Sequence, residues 1–505
     1  MINIKRALVS VSSKEKLLDL CQTLKKFDVQ IIATSNTYSF LNEKGIEATH
    51  ISKYISFPEI INGRVKTLHP KIFGGILARK ERNEIAEINQ YGIDKIDLVC
   101  VNLYPFEKIS KATDNELLLL DEIDIGGVAL LRASAKNYKE TVTIPDPVYY
   151  DEVIEELIKN SGSVSKSLSF KLMKKTFLLT SFYDATIFSK FSSLSGEEIT
   201  TGFYQKIADL RYGENPHQSA SYWKIFPSNN SLILGTEQLS GKELSYNNIL
   251  DTNSGLALLD EFEDPACVIV KHNSPCGVAE AENLTEAYLA AYECDPVSAY
   301  GGIYLFNREV GIEIAQHLGS LFLEVICAPS FSDEALKILN RKKNLRILKR
   351  VFNKDIEIEF RTVRDGILLQ DKDNKLFQEI KVMTGEPLQK ETIKEIIFGL
   401  KVVKHVKSNA IVVTKNRRTF GIGGGQPNRV QSARIALSQA GDNAKNAMLI
   451  SDGFIPFKDT ICEAEKFGIK YVVEPGGSIR DTEVIDEAKN KNIILVFTGI
   501  RHFLH

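Results

Sequence analysis

The chain has 505 residues, too many for one hydrophobic core, and at roughly 100 to 200 residues per domain it should form two to four domains. Hydrophobic residues make up 43% and charged residues 25%, a balance that leaves little room for long disordered regions. The 63 basic and 65 acidic residues give a formal net charge of −2, which excludes a global field that would attract nucleic acid or an anionic membrane.

Two further features bear on where the protein works. No apolar run approaches the roughly 18 residues needed to cross a bilayer, and the start of the chain lacks the apolar core of a signal peptide. The seven cysteines form an odd set without a CxxC pair, which argues against a disulfide framework and a cysteine zinc site. We therefore expect a cytoplasmic protein with reduced thiols and without nucleic-acid or membrane partners.

The first 150 residues alternate β-branched runs with helical patterns, which is typical of the parallel sheet of an α/β domain. The predicted strands are 7–11, 29–33, 96–101 and 141–144, and a predicted helix spans 14–26. Polar residues follow three of these strands: Ser12, Thr34 to Thr37, and Asn102. Because ligands of open α/β sheets bind beyond the carboxyl ends of the strands, we expect a binding site there.

A helical stretch at 170–190, between the polar segments 160–169 and 192–201, should close the first domain. It predicts a boundary near residue 200, with domains at 1–199 and 200–505. Beyond it the alternation resumes, with predicted strands at 267–271, 303–306, 325–328, 410–414, 447–451, 471–474 and 493–497. So many strands favour two α/β lobes divided near residues 370 to 390. No short tandem repeat is visible.

The segment from Asn62 to Pro70 places two cations, a hydroxyl and an imidazole close together. Such a concentration of donors suits a phosphate or a developing oxyanion. A solvated turn is the alternative for a cluster of this kind taken alone.

Three later segments favour the first reading: 102–106 (NLYPF), 124–127 (DIGG) and 131–137 (LRASAKN). In this order they resemble the inosine monophosphate (IMP) cyclohydrolase domain of a bifunctional family whose other activity is a transformylase acting on aminoimidazole carboxamide ribonucleotide (AICAR). That domain has a methylglyoxal-synthase-like fold. The resemblance implies four residues that handle protons and oxyanion charge: Lys66, Tyr104, Asp124 and Lys136. It implies nucleotide binding, chiefly of the phosphate, by Ser12, Lys14, Thr37, Arg64, Thr67, Asn102 and Gly126. Taken alone, Asp124 could be a helix cap and Lys136 a surface cation.

Two positions depart from the family's pattern. Relatives usually carry a glycine pair, in a Ser-Gly-Gly-Thr or Thr-Gly-Gly-Thr turn, where this chain has Thr34-Ser35-Asn36-Thr37. Asparagine tolerates left-handed dihedrals and serine does so less readily, so we expect the backbone amides to sit differently around the phosphate. Phe73 stands where a histidine is common.

In the second domain, Lys271 and His272 follow an apolar strand. Neighbours on a regular strand face opposite ways, so both side chains reach one site only if the chain turns. Ser274-Pro275 and Gly277 predict such a turn. The alternative is an exposed pair with no shared site.

Six further segments complete the pattern: 210–218, 295–302, 324–329, 407–410, 421–426 and 451–459, with Arg501-His502-Phe503 after them. Together with 270–277 they resemble the AICAR transformylase half of the same family, which has a cytidine-deaminase-like fold. The resemblance implies a catalytic pair, Lys271 and His272, oriented by Asn409. It implies a nucleotide pocket of Arg211, Tyr212, Tyr300, Gly301, Glu324 and Arg501, with Tyr300 replacing the usual phenylalanine. The cosubstrate 10-formyltetrahydrofolate would be bound by Gln426, Phe454, Pro456 and Asp459, the last three at its pterin.

The resemblance also bears on metals and partners. The segment from Pro275 to Ala279 begins like the zinc-deaminase motif, but alanine stands at the second cysteine position and no HxE precedes it. We therefore expect no metal requirement, with AICAR, formyl-AICAR and IMP as the small-molecule ligands. The resemblance implies a homodimer whose transformylase sites draw on both subunits. Two alternatives stay open: a nucleotide-sensing module, and a monofunctional transformylase whose altered phosphate turn has disabled cyclisation.

Overall fold

A computed structural model describes residues 1–196, 202–225, 232–351 and 358–505. The chain divides into two compact units, Met1–Phe203 and Tyr204–His505. The boundary predicted near residue 200 falls at residues 197–201, outside the described part of the chain. None of the helices in the described ranges combines the length and apolarity needed to span a bilayer.

The first unit is built on strands and helices that alternate along the chain. Its strands are β1 (Ile2–Asn3), β2 (Arg6–Val11), β3 (Gln30–Ala33), β4 (Thr49–His50), β5 (Leu98–Asn102), β6 (Val142–Ile144) and β7 (Ser163–Val164). Its α-helices are α1 (Leu17–Lys26), α2 (Ser35–Glu43), α3 (Ile51–Ile55), α4 (Pro70–Leu77), α5 (Arg82–Gln90), α6 (Phe106–Ala112), α7 (Glu116–Asp121), α8 (Gly126–Lys136), α9 (Tyr150–Lys159) and α10 (Lys166–Ser195), and a 3-10 helix covers Pro147–Tyr149.

Five of these strands form a parallel sheet in the order β4-β3-β2-β5-β6. The central strands β2 and β5 are buried on both faces, which explains their nearly continuous apolar runs. Helix α1 buries Leu17, Leu20, Cys21 and Leu24, the spacing of one helix face. The parallel sheet predicted for this region is confirmed.

The last helix of the first unit is longer than predicted. The Ser165 side chain caps its start by accepting a hydrogen bond from Leu168 N (3.1 Å), and Gly196 ends it with φ 78°. Parts of both flanking polar segments are therefore helical. The predicted bounds of 170–190 are too short at both ends, because these caps lie further out.

The second unit contains sixteen strands among its described residues. They are β8 (Tyr204–Leu210), β9 (Ala220–Ile225), β10 (Thr236–Ser240), β11 (Ala266–Lys271), β12 (Ser274–Glu280), β13 (Ile303–Phe306), β14 (Val325–Ala328), β15 (Arg346–Arg350), β16 (Ile358–Val363), β17 (Gly366–Asp371), β18 (Lys381–Val382), β19 (Ile411–Thr414), β20 (Thr419–Gly423), β21 (Met448–Ser451), β22 (Tyr471–Glu474) and β23 (Ile494–Phe497). The α-helices are α11 (Tyr246–Leu259), α12 (Leu284–Cys294), α13 (Pro296–Ala299), α14 (Ile312–Ser320), α15 (Asp333–Leu339), α16 (Lys390–Val403), α17 (Arg429–Ala440), α18 (Asp459–Lys466) and α19 (Asp481–Asn490), and a 3-10 helix covers Gly441–Ala444.

Two six-stranded sheets in this unit have the same topology. Their strand orders are β10-β15-β14-β13-β11-β12 and β18-β23-β22-β21-β19-β20. In each, three neighbouring strands are parallel and a hairpin forms one edge. The first sheet ends at Arg350 and the second begins at Lys381. The two α/β lobes predicted for this region are confirmed, and they form a structural duplication.

Candidate active sites

The carboxyl-terminal edge of the parallel sheet gathers four of the predicted nucleotide ligands. Asn102 Oδ1 accepts hydrogen bonds from Ser12 N (2.6 Å) and Ser12 Oγ (2.7 Å). Lys14 Nζ donates to Thr37 Oγ1 at 3.2 Å. These residues follow or begin next to β2, β3 and β5, which are parallel neighbours, so their side chains converge. Burial lowers the pKa of Lys14.

The segment Thr34–Thr37 forms the start of α2 rather than a glycine-like turn. Neither Ser35 nor Asn36 has a positive φ, so the left-handed backbone considered for these residues does not occur. The Ser35 hydroxyl donates to the Glu59 carboxylate. The first turn of a nine-residue helix thus faces the same edge as Lys14, and its backbone N–H groups favour an anion there.

A second group of predicted residues surrounds the start of α8. Asp124, one residue before the N-cap Ile125, accepts a hydrogen bond from Gly127 N in the first turn of the helix through Oδ1 (2.7 Å). Burial raises the pKa of Asp124, while the Gly127 N–H and the charge of Lys66 oppose that rise. Burial also raises the pKa of Tyr104, and the charge of Asp124 adds to the effect. Lys66, Tyr104 and Asp124 are therefore close enough to interact electrostatically.

Thr67 and Gly126 extend this group. A Cβ on Gly126 would lie 2.7 Å from Thr67 Oγ1, so a larger residue would displace the threonine. Arg64 pairs with the Asp121 carboxylate, and both side chains are largely exposed. Within the chain, Arg64 is held by a carboxylate next to the predicted phosphate ligands.

Lys136 is placed apart from the other three predicted catalytic residues. It ends α8, whereas Gly126 begins that helix, and ten residues of α-helix span about 15 Å. Its side chain is exposed. The single chain therefore brings Lys66, Tyr104 and Asp124 together but leaves Lys136 at the far end of α8.

In the second unit, Lys271 and His272 lie at a tight hairpin. Lys271 ends β11 and pairs with Ser274, and the two residues between them, His272 and Asn273, have φ of 53° and 61°. Two successive residues with a left-handed backbone are typical of the two-residue turns that connect the strands of a β-hairpin. The turn expected at Ser274-Pro275 and Gly277 is wrong, because these residues belong to β12. Pro275 is tolerated there because β12 is an edge strand.

Lys271 contacts one predicted nucleotide-pocket residue, Tyr300, through its backbone carbonyl. Its Nζ donates to Tyr300 O at 2.6 Å. The Tyr300 ring packs against Phe322 with 5.3 Å between centroids, and Gly301 N donates to Phe322 O at 2.8 Å. Lys271, Tyr300 and Gly301 therefore form one cluster.

Three other nucleotide-pocket residues take part in an ion pair or a cation–π contact. Glu324 forms an ion pair with Arg346 at 2.6 Å, and the Arg346 side chain is only 5% exposed. The Arg211 guanidinium lies over the Tyr212 ring, 5.6 Å from its centroid. The sequence analysis did not identify Arg346, because an arginine within a strand is normally expected to be an exposed charge at the edge of a sheet.

Asn409 lies in the second lobe, where both ends of its amide are engaged. Asn409 Oδ1 accepts a hydrogen bond from Arg429 Nη2 (2.7 Å), and Nδ2 donates to the carbonyl of Gln426 (2.9 Å). Arg429 also pairs with the Asp452 carboxylate and donates to Ser451 Oγ (2.9 Å). The Arg429 and Asp452 side chains are buried, at 6% and 0% exposure. Sequence reasoning did not single out either residue.

The tail that carries Arg501 is anchored to the same cluster. His502 N donates to Asp452 O (2.7 Å), and the His502 ring contacts Asp373 Oδ2 at 2.7 Å. The Arg501 guanidinium lies 4.8 Å from the Phe503 ring centroid. Arg501 is thus part of an ordered segment. Among the described residues no hydrogen bond or ion pair links Lys271 or His272 to Asn409 or Arg501.

The segment predicted to receive the pterin follows β21. Phe454 is 38% exposed, and Asp459 begins α18. Between them, Ile455 N donates to the carboxyl of Glu474, which is fully buried at the end of the neighbouring strand β22. Burial raises the pKa of Glu474 to about 8, and Asp481 contributes, whereas the Ile455 N–H and Arg429 oppose the rise.

Glu474→Gln is expected to reduce the dependence of stability on pH. The neutral carboxyl is favoured in the folded protein, so its contribution to the free energy of unfolding is present below about pH 4.5 and is lost as the pH rises through about 8. Glutamine does not ionise and still offers an oxygen to Ile455 N. Thermal unfolding midpoints of both proteins measured from about pH 5 to 8.5 check this. The unfolding midpoint of the variant should rise relative to that of the wild type as the pH increases. A difference between the two midpoints that does not change with pH would contradict the prediction.

The described residues contain no group of three or more histidine, cysteine, aspartate or glutamate side chains arranged to hold a metal ion. All seven cysteines are free thiols, and five of them are buried.

Comparisons with known proteins cover the whole chain. A family model described as "AICARFT/IMPCHase bienzyme" matches residues 134–439, and one described as "MGS-like domain" matches residues 16–129. "Bifunctional purine biosynthesis protein PurH" of Caldicellulosiruptor saccharolyticus is 46% identical over 99% of this chain and 100% of that protein. The protein of the same name from Clostridium botulinum is 47% identical, with the same coverage. A solved structure titled "Crystal structure of ForH" is 32% identical over 37% of this chain and 99% of its own, with a TM-score of 0.34, which is too low to inform the fold. The fold class expected from the sequence, with a methylglyoxal-synthase-like domain first, is confirmed.

Proposed function

The chain belongs to the AICARFT/IMPCHase bienzyme family, and on that premise we propose which of its residues perform the two reactions. It is a bifunctional enzyme of purine biosynthesis. It transfers a formyl group from a formyltetrahydrofolate to AICAR, and it cyclises formyl-AICAR to IMP with loss of water. The proposals below concern the residues, the assembly and the absence of a metal requirement.

The first unit, Met1–Phe203, is assigned the cyclohydrolase reaction. In ring closure a carboxamide nitrogen, a poor nucleophile, attacks the formyl carbonyl, so the site must accept protons and stabilise a tetrahedral oxyanion. The observation that carries this assignment is the partly buried Asp124 carboxyl, which accepts a hydrogen bond from Gly127 N and lies within electrostatic reach of Lys66 and Tyr104. Lys66 is proposed to stabilise the oxyanion, while Asp124 and Tyr104 exchange protons with the substrate.

The nucleotide is proposed to enter with its phosphate at the start of α2. Support comes from the cluster of hydroxyls, an amide and a cation at that edge: Ser12, Lys14, Thr37 and Asn102. Thr67, Gly126 and Arg64 are assigned to the same ligand. Holding the reacting nitrogen and carbonyl in attack geometry would supply much of the rate, since oriented intramolecular reactions reach effective molarities of about 10⁵ M or more. The right-handed backbone at Ser35 and Asn36 gives no ground for a disabled phosphate turn.

Lys136 is proposed to act from the other subunit of a homodimer. In one chain it lies about 15 Å along α8 from the start of the helix, too far to join Asp124. Its exposed side chain is free to reach a neighbouring molecule. A site shared between two copies would then contain all four residues named by the resemblance.

Mixing two inactive variants tests this arrangement. Lys66→Ala and Lys136→Ala proteins should each lose cyclisation, but co-expression of the two should recover about a quarter of the wild-type rate, because half of the dimers are mixed and one of their two sites is intact. Conversion of supplied formyl-AICAR to IMP is the measurement. The matched control mixes Lys66→Ala with Asp124→Asn, which belong to the same subunit and should not complement. Absence of recovery in the first mixture would contradict the shared site.

The second unit, Tyr204–His505, is assigned the formyl transfer. The AICAR amine is conjugated with its ring, so it attacks the formyl carbon only as its proton is removed, a task suited to the imidazole of His272. Lys271 is proposed to stabilise the oxyanion or protonate the departing folate nitrogen. Its position next to Tyr300 and Gly301 supports this assignment.

The remaining groups are proposed to complete the transformylase site across the dimer. Asn409 and Arg501 lie in the second lobe with Gln426, Phe454, Pro456 and Asp459, which are assigned to the folate. Arg211, Tyr212 and Glu324 are assigned to the nucleotide. The lack of a direct contact between the Lys271 and Asn409 clusters in the described part of one chain supports a contribution from two subunits. Side chains are assigned the charge stabilisation and proton transfer in both sites, so neither reaction is proposed to require a metal.

A further inference from the structure

The duplicated topology of the second unit places the same hairpin in both lobes. In the first lobe, His272 and Asn273 connect β11 and β12. In the second lobe, Asn416 and Arg417 occupy the corresponding turn, closed by Lys415 N donating to the carbonyl of residue 418 at 3.1 Å. All four turn residues have positive φ, from 53° to 61°. A register shift also precedes each turn by the same distance, at 269/270 and 413/414.

A carboxylate on the preceding helix holds each turn. Asp251 Oδ1 accepts a hydrogen bond from Asn273 N (2.6 Å), and Glu395 Oε2 accepts one from Arg417 N (2.7 Å). Asp251 is the sixth residue of the 14-residue helix α11, and Glu395 is the sixth residue of the 14-residue helix α16. The same contact at the same place in two lobes of different sequence shows that the carboxylate is part of how the hairpin is built.

The turn of the first lobe has a second link to α11. Ser254, one turn further along α11, contacts the Asn273 side chain. Burial raises the pKa of Asp251, while the N–H groups of Asn273 and His272 and the charge of His272 oppose that rise. The carboxyl group therefore interacts with both residues of the turn.

The backbone of His272 depends on the contacts from α11 more than the backbone of Lys271 does. Lys271 is the last residue of β11 and is fixed by its pairing with Ser274. His272 lies beyond the last paired residue, is exposed, and adopts a left-handed backbone that is unfavourable for a residue with a Cβ. Its side chain is placed by the geometry of the turn alone.

We propose that Asp251 is a positioning residue for formyl transfer, because its hydrogen bond to Asn273 N fixes the turn that presents His272 beside Lys271. The proposal rests on the proposed role of His272. Glu395 holds a turn to which neither reaction is assigned, so its contact serves only the fold. Substitution of Glu395 is therefore a control, within the same chain, for the loss of stability that substitution of Asp251 would cause.

The experiment compares Asp251→Ala with Glu395→Ala in the full-length enzyme. Asp251→Ala is expected to lower kcat for formyl transfer by about 10- to 100-fold, the scale of a misplaced reacting group, with KM values for AICAR and 10-formyltetrahydrofolate within about twofold of wild type. Glu395→Ala should cause a similar fall in the thermal unfolding midpoint without that loss of kcat. Cyclisation of supplied formyl-AICAR should persist in both proteins, since it takes place in the other unit.

Equal losses of formyl transfer in the two alanine variants would overturn the proposal, as would a loss confined to KM. If either alanine variant fails to fold, Asp251→Asn and Glu395→Gln decide the question: the first should lower kcat severalfold and the second should not, and equal kcat values would overturn the role of Asp251. His272→Ala separates this proposal from its premise. Formyl transfer that survives His272→Ala would overturn both, whereas a loss in His272→Ala with full kcat in Asp251→Ala would overturn only the role of Asp251.

Discussion

His272→Ala is expected to lower kcat for formyl transfer by about 10²- to 10⁴-fold, the usual contribution of a positioned general base. The alanine removes the group proposed to take the proton from the AICAR amine as the new bond forms. The measurement is the conversion of AICAR and 10-formyltetrahydrofolate to formyl-AICAR and IMP. Cyclisation of added formyl-AICAR, which needs no folate, should continue at the wild-type rate.

Asn416→Ala is the matched control for His272→Ala. Asn416 occupies the corresponding position of the second lobe's hairpin, with a similar left-handed φ of 56°. An alanine there imposes the same backbone cost without touching a residue assigned to either reaction. If His272→Ala and Asn416→Ala reduce formyl transfer alike, the loss reflects the hairpin and not the imidazole. If both reactions fall together in His272→Ala, the assignment of the two activities to separate units is wrong.

Lys66→Ala should have the opposite selectivity. Loss of the cation next to Asp124 and Tyr104 is expected to lower cyclisation by about 10²- to 10³-fold, as when one oxyanion-stabilising group is removed. Formyl transfer should proceed, so formyl-AICAR should accumulate when the variant is supplied with AICAR and the folate. Chromatographic separation of formyl-AICAR from IMP measures both steps in one reaction.

Lys71→Ala provides the control within the same unit. Lys71 lies on α4, with its ammonium 5.0 Å from the Tyr54 ring centroid, and is assigned to neither ligand nor catalysis. It should cyclise formyl-AICAR normally. Equal impairment of Lys66→Ala and Lys71→Ala would indicate a general effect of removing positive charge from this unit.

Much of the fold could be predicted because buried parallel strands appear in the sequence as runs of apolar residues. Strands 303–306, 325–328 and 471–474 were predicted with the bounds that the structure shows. Helix ends were less predictable, because α10 is ended by the caps Ser165 and Gly196 and not by the change from apolar to polar sequence. The duplication of the two lobes could not be predicted from the sequence, because the lobes share strand topology and only isolated positions. Gly255 and Gly399 are such positions, and each packs against a strand of its own sheet.

The candidate sites were predictable where residues directly follow strands and less so where they depend on tertiary contacts. Ser12, Thr37 and Asn102 meet because their strands are adjacent and parallel. The ion pair of Arg429 and Asp452 was not predicted, because charged residues are normally expected at the protein surface. Only the tertiary fold brings these two residues together in the interior. The hairpin turn was misplaced because the left-handed residues are histidine and asparagine, without the glycine that usually marks such a turn.

The regular helical start at Ser35 and Asn36 bears on how other members of this family can be found. Since the backbone there does not require glycine, the phosphate proposed to bind at this point would limit these two positions only by space and polarity, and small polar side chains satisfy both. A motif search that insists on the glycine pair would overlook chains like this one. The hydrogen-bonded pairs Ser12–Asn102 and Lys14–Thr37 at the sheet edge make a more inclusive signature.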